Sequence, residues 1–597
     1  MDNVDVVIVT YNSENWVNNC LCSLLESDYD NKKLFVTFVD NNSQDKTLDI
    51  IRNFDRKESF GGYQCICADD NKGFGSASNL GVKNSHQSHI LLLNVDTIIH
   101  REALSILQKE VLNSSEDVVM WELRQFPYEH PKLYNPITME TSWCSAAACL
   151  VRRDAFEQCG GFDESIFMYA EDVDLSWRIR NNGFKLKYVP KSIVYHYTYM
   201  TQKEVKPTQF TYSLINNLRL RYKFGSLRDV ISGFFWYTVV SIFRSPPNTG
   251  VRKRLLKELF LNIILGWKVR YLRNTAQYRK KFKPTFYKFD YEIMRAGAFY
   301  INQLPESNPL ISVLIRTIGR PNVLREALKS VANQTYNNIQ VIIVEDGSNI
   351  SESMVRKEFG NMNVRYISTN NRLGRSKIAN IAMNAASGEY LTFLDDDDLL
   401  FADHIEVLCS SLINNKSYQI AYSLAFEMKT EVVPTSPCYN YYKKSLRVVY
   451  NELFNRYVLL NYNYLPIQSV MFSKKVFDEM GGIDESLDYL EDWDLWLRYA
   501  SKYDFLFVEK VTSTYKVPSD QKDYLKRKKL LEDAHNFLKE KHRKTKIIFT
   551  VDELFMGMAR IRKTRNVFFK LRRKSLRDIN HYIFMKLFIM VKKIFRN

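Results

Sequence analysis

Four consecutive acids, Asp395-Asp396-Asp397-Asp398, follow the run Tyr390-Leu391-Thr392-Phe393-Leu394. The run is apolar and β-prone and reads as a buried strand. Carboxylates at its tip repel one another and gain no burial. A divalent cation relieves that repulsion, because hard cations take carboxylate oxygens. In an open α/β sheet, ligands gather beyond the carboxyl ends of the strands, so a metal here would be placed to neutralise a phosphate. Taken alone, the four acids fit a solvated acidic turn equally well.

The chain repeats this arrangement. His89-Ile90-Leu91-Leu92-Leu93-Asn94-Val95-Asp96 is a second apolar strand with an acid at the matching place. Further on, Gly160-Gly161-Phe162-Asp163-Glu164 precedes Glu171-Asp172-Val173-Asp174. Its counterpart is Gly481-Gly482-Ile483-Asp484-Glu485, followed by Glu491-Asp492-Trp493-Asp494. Order and approximate spacing agree, which marks an internal duplication with a period too long for a solenoid.

Each Glu-Asp-x-Asp stretch opens an amphipathic helical pattern. Acids in a first turn often serve only the helix dipole, but recurrence in the same context favours a role in chemistry. A carboxylate beside the metal crevice can act as a general base. His196 follows a short strand at 192–195 and is either a metal ligand, a diphosphate contact or structural.

Around these residues, strands alternate with helices in both halves, which implies a mostly parallel α/β sheet in each. In the first half, strands are expected at 5–10, 34–39, 63–68 and near Leu91, with Asn12 or Ser13 capping the first helix. Polar tips at Thr10-Tyr11-Asn12, Asp40-Asn41 and Asn94 would converge on one crevice suited to a nucleotide. The stretch from Gly73 to Gly81 would let backbone approach the ligand. The second half repeats the order from Pro309. Residues from about 201 to 304 lose the alternation and read as helices. The expected domains are 1–205, a helical extension 206–305, 306–540 and a basic helical tail 541–597.

A length of 597 residues suits several domains. The net charge of +17 is uneven, with Lys and Arg dense from Arg560 onward. In the tail, Ile579, Ile583, Leu587, Met590 and Ile594 share one helical face with a basic flank, which suits an anionic bilayer surface. A second membrane-facing candidate is residues 230–243 with Arg252, Lys253 and Arg254. That run is too short for a comfortable span. Nucleic acid is the other taker for such charge, but no recognition motif is present. Nine cysteines fit no metal spacing and read as free thiols. No signal-peptide pattern opens the chain, so a cytoplasmic protein, peripheral on the inner face of the cell membrane, is expected.

Taken as ordered sets, these residues resemble the family-2 glycosyltransferases, which have the GT-A fold. The first half matches through Val9-Thr10-Tyr11-Asn12, Val39-Asp40-Asn41-Asn42-Ser43, the 71–81 loop, Leu93-Asn94-Val95-Asp96, the Gly160-Gly161 loop and Glu171-Asp172-Val173-Asp174. It is most similar to the rhamnosyltransferase-like branch. The second half matches through Gln334-Thr335-Tyr336, Glu345-Asp346-Gly347-Ser348, Gly388-Glu389-Tyr390 with the four acids, and Glu491-Asp492-Trp493-Asp494. The resemblance covers roughly 4–200 and 309–517.

It implies inverting transfer of a sugar from a nucleotide diphosphate sugar, dTDP-rhamnose-like or a UDP-sugar, to a hydroxyl. Mn²⁺ or Mg²⁺ would sit at Asp96 with His196 in the first half, and at Asp395 and Asp397 in the second. Asp172 and Asp492 would be the catalytic bases, with Glu171 and Glu491 beside them. Nucleotide-sugar contacts would come from Thr10, Tyr11, Asn12, Asp40, Asn41, Gly73, Asn79 and Asn94. In the second half they would come from Thr317, Glu345, Asp346, Arg372, Gly374 and Asn380. Three departures stand out. Asn94 replaces the first acid, Thr317-Ile318-Gly319 replaces the Thr-Tyr-Asn set, and His196 has no obvious counterpart beyond nearby Tyr515.

The expectation is a bifunctional enzyme extending a lipid-linked surface polysaccharide such as O-antigen or capsule. The alternatives are one active domain with an acceptor-binding partner, a non-enzymatic basic scaffold, and a nucleotidyltransferase.

Overall fold

A computed structural model describes residues 2–197, 206–243, 250–272, 282–288, 290–297, 300–433 and 441–572. The basic face predicted around Ile579 lies outside the described residues.

The first domain holds eight strands: β1 (Val4–Thr10), β2 (Leu34–Asp40), β3 (Gly62–Cys67), β4 (His89–Asn94), β5 (Thr97–Ile99), β6 (Val118–Phe126), β7 (Ala148–Arg152) and β8 (Lys185–His196). They form one sheet in the order β3-β2-β1-β4-β7-β6-β8-β5. The β3-β2-β1-β4 half is parallel, while β7 runs antiparallel to β4 and β6. Strand β1 is buried on both faces, as expected where helices cover both sides of a parallel sheet.

The second domain repeats this plan with β9 (Ile311–Thr317), β10 (Ile339–Glu345), β11 (Val364–Ser368), β12 (Tyr390–Asp395), β13 (Leu399–Leu400), β14 (Ile420–Val432), β15 (Tyr441–Val448), β16 (Val470–Ser473) and β17 (Phe505–Pro518). Its order is β11-β10-β9-β12-β16-β14-β17-β13, with β15 added on β14. The two sheets form the expected pair of tandem GT-A domains. Strand β15 has no partner in the first domain, so the halves do not match element for element.

Three expectations are corrected. The first helix is Val17–Leu25 and starts after Trp16, without a side-chain cap. Ser13 instead supplies a carbonyl to the N–H groups of Trp16 and Val17. The strand ending in His196 has 12 residues, because it pairs in parallel with β6 along most of its length. Among the described residues, the stretch 206–305 is helical in Pro207–Phe224, Leu227–Phe243 and Val251–Leu272. Its last part crosses the seam between the domains with no regular helix among the described residues.

That seam is ionic and buried. Arg295, from the crossing segment, pairs with Asp403 at 2.7 Å and donates to Tyr134 Oη at 2.9 Å. Lys510 reaches Glu129 and Asp403 at 2.7 and 2.6 Å, and Arg124 reaches Glu406 at 2.8 Å. Buried charges need such partners, and breaking one costs several kcal/mol. The pairs therefore hold the two domains in one arrangement.

Candidate active sites

The strand tips meet as predicted. Parallel register sets Thr10 beside Asp40 and Val9 beside Asn94. Thr10 Oγ1 donates to Asp40 Oδ1 at 3.0 Å, and the Ser43 N–H donates to Asp40 Oδ2 at 2.9 Å. Asp40 thus shapes the loop after β2. Asn12 is left-handed, and its Oδ1 accepts from Gln44 N at 2.8 Å, so it joins two loops. Tyr11 is half exposed at the crevice. Asn41 Nδ2 donates to Asn71 Oδ1 at 2.8 Å. Gly73 follows at φ +89°, and a Cβ there would lie 2.1 Å from the Phe167 carbonyl oxygen. Only glycine fits, which explains the residue type in this loop.

Asn79 and Asn380 have the same placement in each half. Asn79 Oδ1 accepts from Phe162 N at 2.8 Å while its Nδ2 donates to Phe162 O at 3.0 Å. Asn380 does the same with Ile483, at 2.8 Å in both directions. Both amides brace the Gly-Gly loop.

In the first domain, Asp96 Oδ1 lies 3.4 Å from His196 Nε2. His196 Nδ1 donates to Gln125 Oε1 at 2.8 Å, which fixes the ring and turns Nε2 toward the acid. Burial alone would raise the Asp96 carboxyl, but the hydrogen bond and charge of His196 outweigh it and hold the carboxyl below its usual range. The pair is an ion pair when the imidazole is protonated, and two ligands for a cation when it is neutral. An outer hydrogen bond on the ligating ring is how metal-binding histidines are usually held. Among the described residues no three or more His, Cys, Asp or Glu side chains gather as a metal cluster. Two protein ligands suit a cation completed by diphosphate oxygens and water.

Glu171 and Asp172 open the helix Glu171–Asn181, directly after Ala170 at φ 74°. A left-handed alanine is strained, and Leu490 at φ 59° precedes Glu491–Ala500 in the same way. Asp172 accepts from Val173 N at 2.8 Å and Ala146 N at 3.3 Å. Glu171 is buried, and among the described residues its Oε2 has no hydrogen-bond partner. Burial, then the charge of Asp172, pushes the Glu171 carboxyl up to about 8. Burial also raises Asp172.

The second domain is wired differently. Arg316 takes the place of Val9 in the register, opposite Asp395. Its Nη2 lies 2.6 Å from Asp395 Oδ1, and its Nη1 lies 3.0 Å from Glu491 Oε1. Arg375, the first helical residue after Gly374, reaches Glu491 at 2.9 Å and Asp395 at 3.5 Å. Phe74 holds that position after Gly73 in the first domain. Asp395, expected as a metal ligand, is therefore shared by two guanidinium groups. Asp397 is more open, with Arg320 at 3.7 Å. Thr317 Oγ1 donates to Asp396 at 2.7 Å. Glu345 accepts from Ser351 N at 3.1 Å, and Asp346 from Leu373 N at 2.6 Å and Gly374 N at 3.2 Å. Arg372 is exposed beside them.

Asp492 accepts from Asn463 Nδ2 at 2.9 Å. Burial, then the charge of Glu491, raises its carboxyl to about 6. Since Leu399 pairs with Thr514 and Thr97 with His196, Tyr515 is the residue in register with His196. Sequence reading missed Arg316 and Arg375. The available signal was a charge inside the otherwise uncharged strand Ile311–Thr317.

Two α/β crevices, each with acids at a strand tip and at the start of a helix, define the tandem GT-A class. The model for glycosyl transferase family 2 matches residues 5–162 and again 312–481, more than half of the chain, and the chain belongs to that family. An uncharacterized glycosyltransferase of Rickettsia conorii is 23% identical over 545 residues, spanning 86% of this chain and 79% of that protein. An uncharacterized glycosyltransferase of Rickettsia typhi is 30% identical over 196 residues, which span 32% of this chain and 59% of that relative. Among solved structures, the mannosyltransferase PcManGT from Pyrobaculum calidifontis, in complex with GDP-Man and Mn2+, aligns at TM-score 0.32 and 15% identity. That alignment covers 46% of this chain and 82% of that one.

Proposed function

We propose that the chain is a bifunctional inverting glycosyltransferase that moves sugars from nucleotide diphosphate sugars, dTDP-rhamnose-like or UDP-linked, onto a lipid-linked glycan acceptor in O-antigen or capsule synthesis. It would work at the inner face of the cell membrane, with the basic tail on the bilayer. One observation carries the reading: Arg316 contacts both Asp395 and Glu491, so strand-tip acids and helix-start acids share one crevice beside Asp492.

In each domain the acid at the helix start, Asp172 or Asp492, takes the proton from an acceptor hydroxyl as that oxygen attacks the anomeric carbon. A buried carboxylate with a raised pKa is a better base than a solvated one. Asp96 with His196, and Asp397 beside the arginine-paired Asp395, would hold the diphosphate through Mn²⁺ or Mg²⁺. Such a cation supplies stabilisation of charge on the leaving nucleoside diphosphate. Tyr11, Asp40, Asn41 and Asp346 would frame the nucleoside. Asn94 would lie beside the sugar diphosphate.

The alternative is one catalytic domain plus a degenerate acceptor-binding domain. The second domain is the candidate for degeneracy, because Tyr515 and Ile318 stand where His196 and Tyr11 stand in the first. Product mass spectrometry with Mn²⁺, paired nucleotide sugars and lipid-linked acceptors tests both readings. Two catalytic domains give alternating mass increments, and Asp172→Asn and Asp492→Asn each stop the ladder after one step. Full product from one of these variants supports the alternative.

A further inference from the structure

The helices Pro207–Phe224, Leu227–Phe243 and Val251–Leu272 pack on one another. Leu214, Leu218, Val230, Tyr237, Val240 and Leu255 fill the seam between them. That seam uses the inner face of each helix. The second helix carries another apolar stripe, Leu227, Ile231, Phe235 and Ile242, which the helical period lines up on one side. It is exposed: Ile231 shows 62% of its surface and Phe235 48%. The third helix repeats the pattern with Leu256, Phe260 and Ile263, and Phe260 is 66% exposed. Exposed apolar residues normally scatter singly, and contiguous ones mark an interaction surface.

The charges on these helices narrow the partner. Arg228, Lys253 and Lys257 are exposed next to the two stripes. The acids of the same stretches face their own chain. Asp229 accepts from the Ser226 N–H and hydroxyl at 2.7 Å, and Glu258 lies 3.9 Å from Arg219. The outward surface is therefore apolar and cationic. A second copy of this face would bring like charges together. A bilayer with anionic headgroups neutralises them and takes the aromatic and aliphatic side chains. No helix among the described residues is long and apolar enough to cross a membrane.

We infer that the outer faces of Leu227–Phe243 and residues 251–263 dock the chain flat on an anionic lipid bilayer. Ile231, Phe235, Phe260 and Ile263 enter the acyl boundary, while Arg228, Lys253 and Lys257 lie among the headgroup phosphates. This surface belongs to the helical unit that follows the first domain.

The test uses the full chain and flotation with vesicles of equimolar phosphatidylglycerol and phosphatidylethanolamine. The expected result is binding that weakens about tenfold or more in the Ile231→Ser, Phe235→Ser, Phe260→Ser, Ile263→Ser variant, since both components of interfacial binding scale with buried apolar area and charge. Weaker binding to phosphatidylcholine vesicles than to the anionic ones is expected as well. Transfer to a water-soluble acceptor analogue should stay at the wild-type rate. Unchanged vesicle binding overturns the proposal, because the tail would then suffice. A photo-crosslinker at Phe260 decides the matter if the fourfold variant does not fold. Lipid adducts support the proposal, whereas adducts to a second copy or to residues 573–597 overturn it.

Discussion

Lys541 Nζ lies 2.5 Å from Asp494 Oδ1 and 2.5 Å from Asp484 Oδ2. Lys223 repeats this in the first half, 2.7 Å from Asp174 and paired with Asp163. The lysine comes in each case from the helix that follows the domain, and it ties the Gly-Gly loop to the helix bearing the proposed base. In each half the following helix is thus tied to the domain before it.

This arrangement predicts unequal losses. Asp174 is fully buried, and its partners in the structure are Arg178 and Lys223. Lys223→Met leaves a buried charge short of a cation, a change costing about 3 kcal/mol. Asp494 also has His542 at 2.8 Å and Arg498 at 2.9 Å, so Lys541→Met should cost about 1 kcal/mol. Denaturant titration of both variants checks the order, and equal stabilities would sink it.

The two Glu-Asp pairs should respond oppositely to substitution. Glu171 has a folded pKa raised to about 8, by burial first and Asp172 second. Its unfolded value is near 4.3. Between those values the unfolded chain has lost the proton that the folded chain keeps, so this carboxyl erodes stability as pH rises toward 8. Glu171→Gln should melt higher than wild type at pH 8 and equally near pH 4. Glu491→Gln strips Arg316 and Arg375 of a buried partner, and should melt lower at both. Thermal scans at the two pH values decide it.

The acid limb of transfer by the second domain, isolated in Asp172→Asn, should fall through about pH 6. Asp492 has its pKa there, raised by burial and by Glu491, and a base acts only when ionised. Arg316→Met removes a positive charge that lowers the Asp492 carboxyl, so Asp492 should keep its proton to higher pH and the limb should shift upward. A pH–rate profile with an unmoved limb would count against Asp492 as the base.

Gln125 fixes the His196 ring at 2.8 Å. Gln125→Leu should weaken Mn²⁺ binding, measured by electron paramagnetic resonance with a nucleoside diphosphate present, by about 10–100-fold. Tyr515→Phe should leave that binding site untouched, since the residue belongs to the other crevice.

Much of this was legible in the chain itself. The duplication, the strand-tip acids, both Glu-Asp helix starts and the Gly-Gly loops are contiguous motifs. Local period and residue type suffice to read them, because a strand or helix start is decided within a few residues. His196 was legible only as a metal ligand, a diphosphate contact or a structural residue, and its register with Thr97 brings it within 3.4 Å of Asp96.

Other features needed the tertiary structure. Arg316 meets Glu491 across 175 residues, Lys223 meets Asp174 across 49, and Lys510 meets Glu129 across 381. In sequence each is an ordinary charged residue. Burial turns such a charge into a constraint, because a desolvated ion must find its counter-ion wherever the fold brings one. The sequence by itself determined two α/β domains of one family and the acids they present. The packing of distant segments decided which acids are neutralised by arginine and which are buried beside another acid.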